Sequence, residues 1–289
     1  MTYSIVGRDE SSGELGVAVQ SRAFGVGICA WARPGVGAVA TQAFTQQRYG
    51  PAGLDLLAAG AAPAAALAEL LAADEQSEFR QVALLSADGR TAAHTGAACV
   101  PDCGHVQRGG VSAQGNMLAS PAVWQAAADT FEATAGSLAE RLLAALEAAE
   151  KAGGDFRGRE AATLVVVSGD GDEEPWQRVF DLRVDNHADP LGELRRLHRM
   201  AATYRRRNDF DEHTDPEYEA ELGRAAGLPD DQLATRAAVI AVKRGDLDAA
   251  VAALRPWADR DPRWREAFDR YARLELLPPE VLDRLDSVR

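Results

Sequence analysis

The sequence predicts an α+β protein in which helix layers cover two stacked antiparallel sheets, an αββα sandwich, followed by a small all-α domain. Three observations lead there. Up to residue 184 the elements run strands, two helices, strands, two helices, strands. Paired helices between blocks of strands favour antiparallel sheets under helix layers over a βαβ fold. From about residue 188 the texture turns helical and Arg-rich, and a 46% hydrophobic, 26% charged chain of 289 residues can bury a real core.

The elements follow in order. Tyr3–Val6 is a short apolar strand, and the cluster Glu10–Gly13 is a turn. Leu15, Val17 and Val19 alternate with Gly16, Ala18 and Gln20, the period of a half-buried strand. Strands are predicted over Val26–Ala32 and Val36–Phe44, joined by Arg33-Pro34-Gly35, whose proline and glycine suit a type II turn. Helices are expected near 50–59 and 63–73, and a hairpin of 80–87 with 90–95 turns at Asp88-Gly89. Val111–Gln114 is a short strand. Ser120-Pro121 opens a helix with a cap and a first-turn proline, and Ser137 with Glu140 has capping-box spacing for the next. Strands follow at Ala162–Val167 and Val179–Val184. Beyond a helix carrying Leu191, Leu194 and Leu197, the polar stretch Asn208–Glu219 reads as a linker. Helices are expected at Gln232–Arg244, Leu247–Trp257 and Trp264–Leu274. Part of this region resembles one tetratricopeptide-like hairpin, which cannot bury its own face and should pack on the first domain or another chain. The predicted division is residues 1–205 and 206–289.

Charge and cysteines narrow the function. The net charge of −13 disfavours nucleic acid and anionic membrane as partners. Three cysteines cannot all pair, and MTYSIVGRDESS has neither the basic start nor the apolar run of a signal peptide, so a cytoplasmic setting is expected. GxxxxGK[ST], HExxH, GxSxG and GxGxxG motifs are missing. Cys99, Cys103 and His105 lack a fourth ligand, and no metal or cofactor is expected.

Chemistry then points to the chain start. Thr2 follows the initiator methionine. Once that residue is removed, the threonine hydroxyl sits beside an α-amine with a pKa of about 7.7–8.0, basic enough to take its proton. A threonine with its own amine is a nucleophile–base pair that needs no histidine. The plainer alternative is a strand terminus and nothing more.

Seven or more ordered stretches carry a family resemblance: TYSIVGRD (2–9), ELGVAVQS (14–21), VGICAWARPGVGAVATQAF (26–44), YGPAGLDLL (49–57), HTG (94–96), SAQGNMLASP (112–121), GGDFRGREAA (153–162) and DLRVDNHADPLGELRRL (181–197). Over Thr2 to about Arg196 the chain resembles the DUF1028 family, placed among the N-terminal-nucleophile (Ntn) hydrolases. The resemblance implies a four-layer Ntn sandwich with the nucleophile on the first strand, and amide hydrolysis through an acyl intermediate. Members often carry a C-terminal extension described as peptidoglycan-binding, and residues 208–289 look like it.

On this resemblance the catalytic candidates are Thr2, Ser21, Arg33, Ala43 and Asn116. Ser21 matches a proteasome-type strand end, although Gln20 stands where relatives place an acid. Arg33 stands in for a nearby basic residue and supplies charge alone. Ala43 offers an oxyanion N–H, and Asn116 a side-chain donor. Gln42, His94, Arg157 and Arg159 are substrate-binding candidates. Each has a plainer reading, as a strand-end hydrogen bond, a turn residue or a surface ion pair. The function read here is an amidohydrolase for a small-molecule or peptide-like amide. The alternative is a non-catalytic binding protein of Ntn fold, with the helical module contacting a glycan or protein. Homo-oligomer formation is expected from the unpartnered helical hairpin.

Overall fold

A computed structural model of the protein describes residues 2–274 and 276–287. It divides into two compact units, Met1–His198 and Arg199–Arg289.

The strands of the first unit are β1 (Thr2–Arg8), β2 (Leu15–Ser21), β3 (Ala30–Arg33), β4 (Gly37–Ala43), β5 (Arg80–Ser86), β6 (Thr91–Thr95), β7 (Gly104–Arg108), β8 (Val111–Asn116), β9 (Ala161–Val167) and β10 (Phe180–Val184). They form a six-stranded sheet, β10-β9-β2-β1-β8-β7, and a four-stranded sheet, β3-β4-β5-β6. Every strand pair is antiparallel. The helices are α1 (Tyr49–Ala58), α2 (Pro63–Ala72), α3 (Ala122–Ala133), α4 (Leu138–Lys151) and α5 (Pro190–Arg206), which the unit division crosses.

Alternation along the strands sorts the side chains into three cores. Val6, Val17, Val19, Ala40, Ala83 and Leu85 meet between the sheets. Val39, Val82 and Leu84 face Tyr49, Leu54 and Leu67 on α1 and α2. Ile5, Ala113 and Leu164 face Phe131 of α3 and Leu142 and Leu146 of α4. The layers are therefore helix, sheet, sheet, helix. Each fully buried leucine contributes about 1.5–3 kcal/mol relative to exposure, so the two helix layers are held by their apolar stripes. Capping adds to this at α4, where Ser137 and Glu140 form the reciprocal capping box.

The β1–β2 turn sets a register that matters for the site. Asp9 Oδ1 accepts from the Ser11 N–H at 2.9 Å, the Ser11 hydroxyl at 2.6 Å and the Ser12 N–H at 3.0 Å. Arg141 Nη1 reaches Asp9 Oδ2 at 3.2 Å. The Ser11 hydroxyl, with the other donors of the turn, lowers the Asp9 pKa to about 2. A depressed carboxylate stabilises the fold above its unfolded pKa of about 3.9, and that stability fades as pH falls toward the folded value. Asp9→Ala is expected to cost about 2 kcal/mol at pH 7. The gap from wild type should shrink between pH 4 and the folded pKa of about 2 in urea melts, and a constant gap would contradict the assignment.

Several expectations need correction. Val26–Ala32 is not a continuous strand: Val26–Cys29 is a 3-10 turn, and β3 begins at Ala30. Gly25 starts that turn at φ +66°, and Arg183 packs where a side chain on Gly27 would sit. The cap of α3 is Pro121, with the Ser120 hydroxyl accepting from the Ala122 N–H at 3.3 Å. Strand β7 was not predicted; it is a half-buried edge strand whose alternation is weak.

The second unit contains α6 (Pro216–Ala225), α7 (Asp230–Lys243), α8 (Leu247–Arg260), α9 (Pro262–Arg273) and α10 (Pro279–Asp286). The predicted linker 208–219 thus runs into α6, capped by Asp215. The expected lone hairpin is also corrected. Ala250, Val251 and Leu254 of α8 pack with Phe268 of α9 and with Val281 and Leu285 of α10 in a core of the unit's own. Pro279 occupies the first turn of α10, where its missing N–H costs nothing. No helix among the described residues is long and apolar enough to cross a membrane.

Candidate functional site

β1 lies between β2 and β8, and the register sets Thr2 opposite Ser21 on one side and Asn116 on the other. Three polar side chains therefore end three adjacent strands in a row. Period-2 alternation turns them toward the second sheet, on the face that carries Val6 and Val19. Thr2 Oγ1 donates to Ser21 Oγ at 3.1 Å, and Ser21 Oγ also accepts from the Ala23 N–H at 3.1 Å. Thr2 is only 6% exposed. The expected removal of Met1 concerns a residue outside the described ones.

The four-stranded sheet completes the cluster. Gln42 Nε2 donates to Thr2 O at 3.1 Å and to Gln81 Oε1 at 2.7 Å. Asn116 Nδ2 donates to the same Gln81 oxygen at 2.9 Å. Gln81 Nε2 reaches Gly115 O at 2.8 Å, Gly104 O at 3.0 Å and Thr95 Oγ1 at 3.0 Å. An amide nitrogen carries two hydrogens. Both of Gln42's are committed to the cluster, so Gln42 holds the Thr2 carbonyl in place, and its own Oε1 is buried without a partner. Asn116 keeps one hydrogen without a partner among the described residues.

Backbone strain collects at the same strand ends. Ala43, next to Gln42, has φ +67°, and Met117, next to Asn116, has φ +54°. Each left-handed non-glycine residue costs about 1–2 kcal/mol, a cost met by surrounding structure and concentrated at functional sites. Here Arg80 does the holding. It donates to Phe44 O at 2.7 Å and pairs with Asp74 at 2.8 Å. Tyr49 donates its hydroxyl to the same carboxylate at 3.1 Å, and burial, then Asp74, pushes its pKa to about 12. Ala43 is the last residue of β4.

Other candidates lie elsewhere. Arg33 faces Gly37 at the opposite end of β4 from Ala43, about 20 Å along the strand at ~3.4 Å per residue. It donates to Asp55 of α1 at 2.7 Å, so its expected place beside Thr2 is corrected. The cause is the β3–β4 hairpin, which pairs Arg33 with Gly37 at the start of β4 while Ala43 ends that strand. His94 sits beside Thr95 on β6 but on the other face, with Nε2 2.9 Å from Ser77 O. Arg159 lies near Glu150, at 3.7 Å, and Asp189, at 3.4 Å, away from the Thr2 row. Gln20 pairs with Tyr3 and points toward the helices, so the missing acid is not a neighbour of the Thr2 hydroxyl.

Arg157 belongs to a group that centres on Asp155, which sequence reasoning missed. The Asp155 carboxylate is fully buried and accepts the Arg157 N–H at 2.9 Å and the Arg22 N–H at 3.2 Å. The Asp155 backbone forms a β-bridge with Leu118, just past Asn116, so this residue ties the ends of β2 and β8 together. Gln81 was missed as well, although one glutamine at an inward position of the strand RQVALLS was a signal. Cys99, Cys103 and His105 are engaged separately: Cys99 Sγ with Arg80 O at 3.4 Å, Cys103 Sγ with Cys99 O at 3.9 Å, and His105 Nδ1 with Thr95 Oγ1 at 2.9 Å. Burial, with His94 nearby, lowers the His105 pKa.

A family model described as a family of unknown function, DUF1028, matches residues 2–194. The chain belongs to the DUF1028 family. Among solved structures it is similar to the DUF1028 protein SPO2555 from Silicibacter pomeroyi, at 31% identity and a TM-score of 0.63. That alignment covers 69% of this chain and 88% of the other. A search of curated proteins found no significant match.

Proposed function

We propose that this DUF1028 protein is an amidohydrolase of the Ntn type, with Thr2 as nucleophile and its own amine as base once Met1 has been removed. The observation that carries the reading is the row Ser21–Thr2–Asn116 at the ends of three paired strands, backed by the Gln42–Gln81 amide cluster and by Ala43 at φ +67°. The helix–sheet–sheet–helix layering suits an Ntn sandwich, in which the first strand presents its first side chain.

The chemistry follows from the groups present. The Thr2 hydroxyl attacks the amide carbon and gives its proton to the Thr2 amine. Negative charge grows on the carbonyl oxygen, and in this reading the Ala43 N–H and the second Asn116 hydrogen are the donors that meet it. The C–N bond breaks as the ammonium protonates the leaving amine, and water then hydrolyses the Thr2 ester. Ser21 holds the hydroxyl in line. Three free thiols, Cys29, Cys99 and Cys103, accord with a reducing cytoplasm as the setting.

A second reading, a binding protein that keeps the fold without the chemistry, draws on one observation: Thr2 is 6% exposed, with its hydroxyl committed to Ser21. A β-lactone probe separates the two. The enzyme reading expects one acyl adduct per chain, mapping to Thr2 in peptide mass spectra. Adducts confined to cysteines would leave the binding reading.

A further inference from the structure

The second unit holds a cavity of about 560 Å³ walled by α7 and α9. That volume falls inside the range of ligand sites, about 300–1,000 Å³. Its floor is apolar: Leu254 and Phe268 are buried, and the Trp264 ring lies 5.9 Å from Phe268 at a 33° tilt. At its edge Tyr271 and Leu276 are 42% and 68% exposed, so apolar surface continues to the opening.

Charge is what selects an occupant. The protein is strongly acidic, at net −13, yet the described residues lining this cavity include two cations, Arg207 and Lys243, and no carboxylate. Several arginines elsewhere in the unit are matched: Arg206 and Arg236 with Glu219, Arg263 with Asp261, Arg265 with Asp286 and Arg284 with Asp248. Arg207 and Lys243 have no ion pair among the described residues, and both stand beside a greasy floor. A neutral glycan would leave that floor and both charges unused.

We infer that this cavity binds a carboxylate carried on an apolar chain, with the chain against Trp264 and Phe268 and the carboxylate at Arg207 and Lys243. The inference is independent of the Thr2 chemistry. An aliphatic body gains free energy as its apolar surface leaves water. The charged end adds direction and a dependence on ionic strength.

Decanoate, titrated into the full chain below its micelle concentration, tests it by calorimetry and tryptophan fluorescence. The expected result is saturable binding at one site per chain, with 1-decanol binding about tenfold more weakly for want of a charge. Arg207→Gln and Lys243→Gln, both at exposed positions, should each weaken decanoate by about fivefold and leave decanol unchanged. Val239→Trp, which fills the cavity from a half-buried position on α7, should abolish both. Equal affinity for decanoate and decanol, or decanoate binding indifferent to the two charge changes, would overturn the assignment. So would the absence of saturation.

Discussion

Thr2→Ala is expected to abolish β-lactone labelling at residue 2 and to lower any amidase rate by at least about 10⁴-fold, the scale on which loss of a nucleophile is felt. Thr2→Ser should keep both, because it retains a hydroxyl next to the amine. The structural effect of the alanine change is small by comparison. One neutral hydrogen bond to Ser21 is lost, worth about 1 kcal/mol. A variant that melts within a few degrees of wild type but neither labels nor turns over would therefore report chemistry. If Thr2→Ala merely softened the fold and left the rate intact, the hydroxyl would be a strand-end hydrogen bond and nothing else.

The largest stability effect is expected at Glu219. This carboxylate is 2% exposed and sits between two arginines, Arg206 and Arg236, with Arg236 Nη2 at 2.6 Å from Oε2. Arg236 is itself buried, donates to Thr203 O at 2.7 Å and lies over the Phe210 ring at 4.9 Å. Burial lowers the Arg236 pKa, and Glu219 opposes that shift. Glu219→Ala would leave the guanidinium in a site built for a pair, at a cost of about 3–5 kcal/mol. Thermal unfolding of the second unit should shift accordingly, and adding Arg236→Met should recover part of the loss. Because the chain has two units, the transition should be followed with a probe specific to the second, such as fluorescence of Trp257 and Trp264 in a chain whose Trp31, Trp124 and Trp176 are replaced by phenylalanine. A Glu219→Ala cost below about 1 kcal/mol would mean that water reaches the pair.

What could be read from the sequence, and what could not, divides along physical lines. Local chemistry was legible. The Asp88-Gly89 turn is real, with Gly89 at φ +85°, and the Ser137–Glu140 box caps α4. Long apolar stripes such as Leu142, Leu143 and Leu146 also face the core as expected. Long-range pairing was not legible. Nothing in Thr2, Ser21 and Asn116 themselves says that register will align them; that came from the family resemblance and is visible only in the paired strands. Arg33 shows the same limit from the other side, since its pairing with Gly37 in the β3–β4 hairpin puts it at the opposite end of β4 from Ala43. Gln81 and Asp155 escaped because their importance lies in what other segments bring to them: Gln42 and Asn116 in one case, Arg22 and Leu118 in the other.

The central claim is that Thr2 becomes the first residue of the working protein. Intact mass spectrometry of the purified full-length chain tests it most directly. The account predicts a species lighter than the translated sequence by one methionine residue, and a first Edman cycle that yields threonine. Methionine retained on essentially every molecule would put a peptide bond where the catalytic amine is required, and would contradict it.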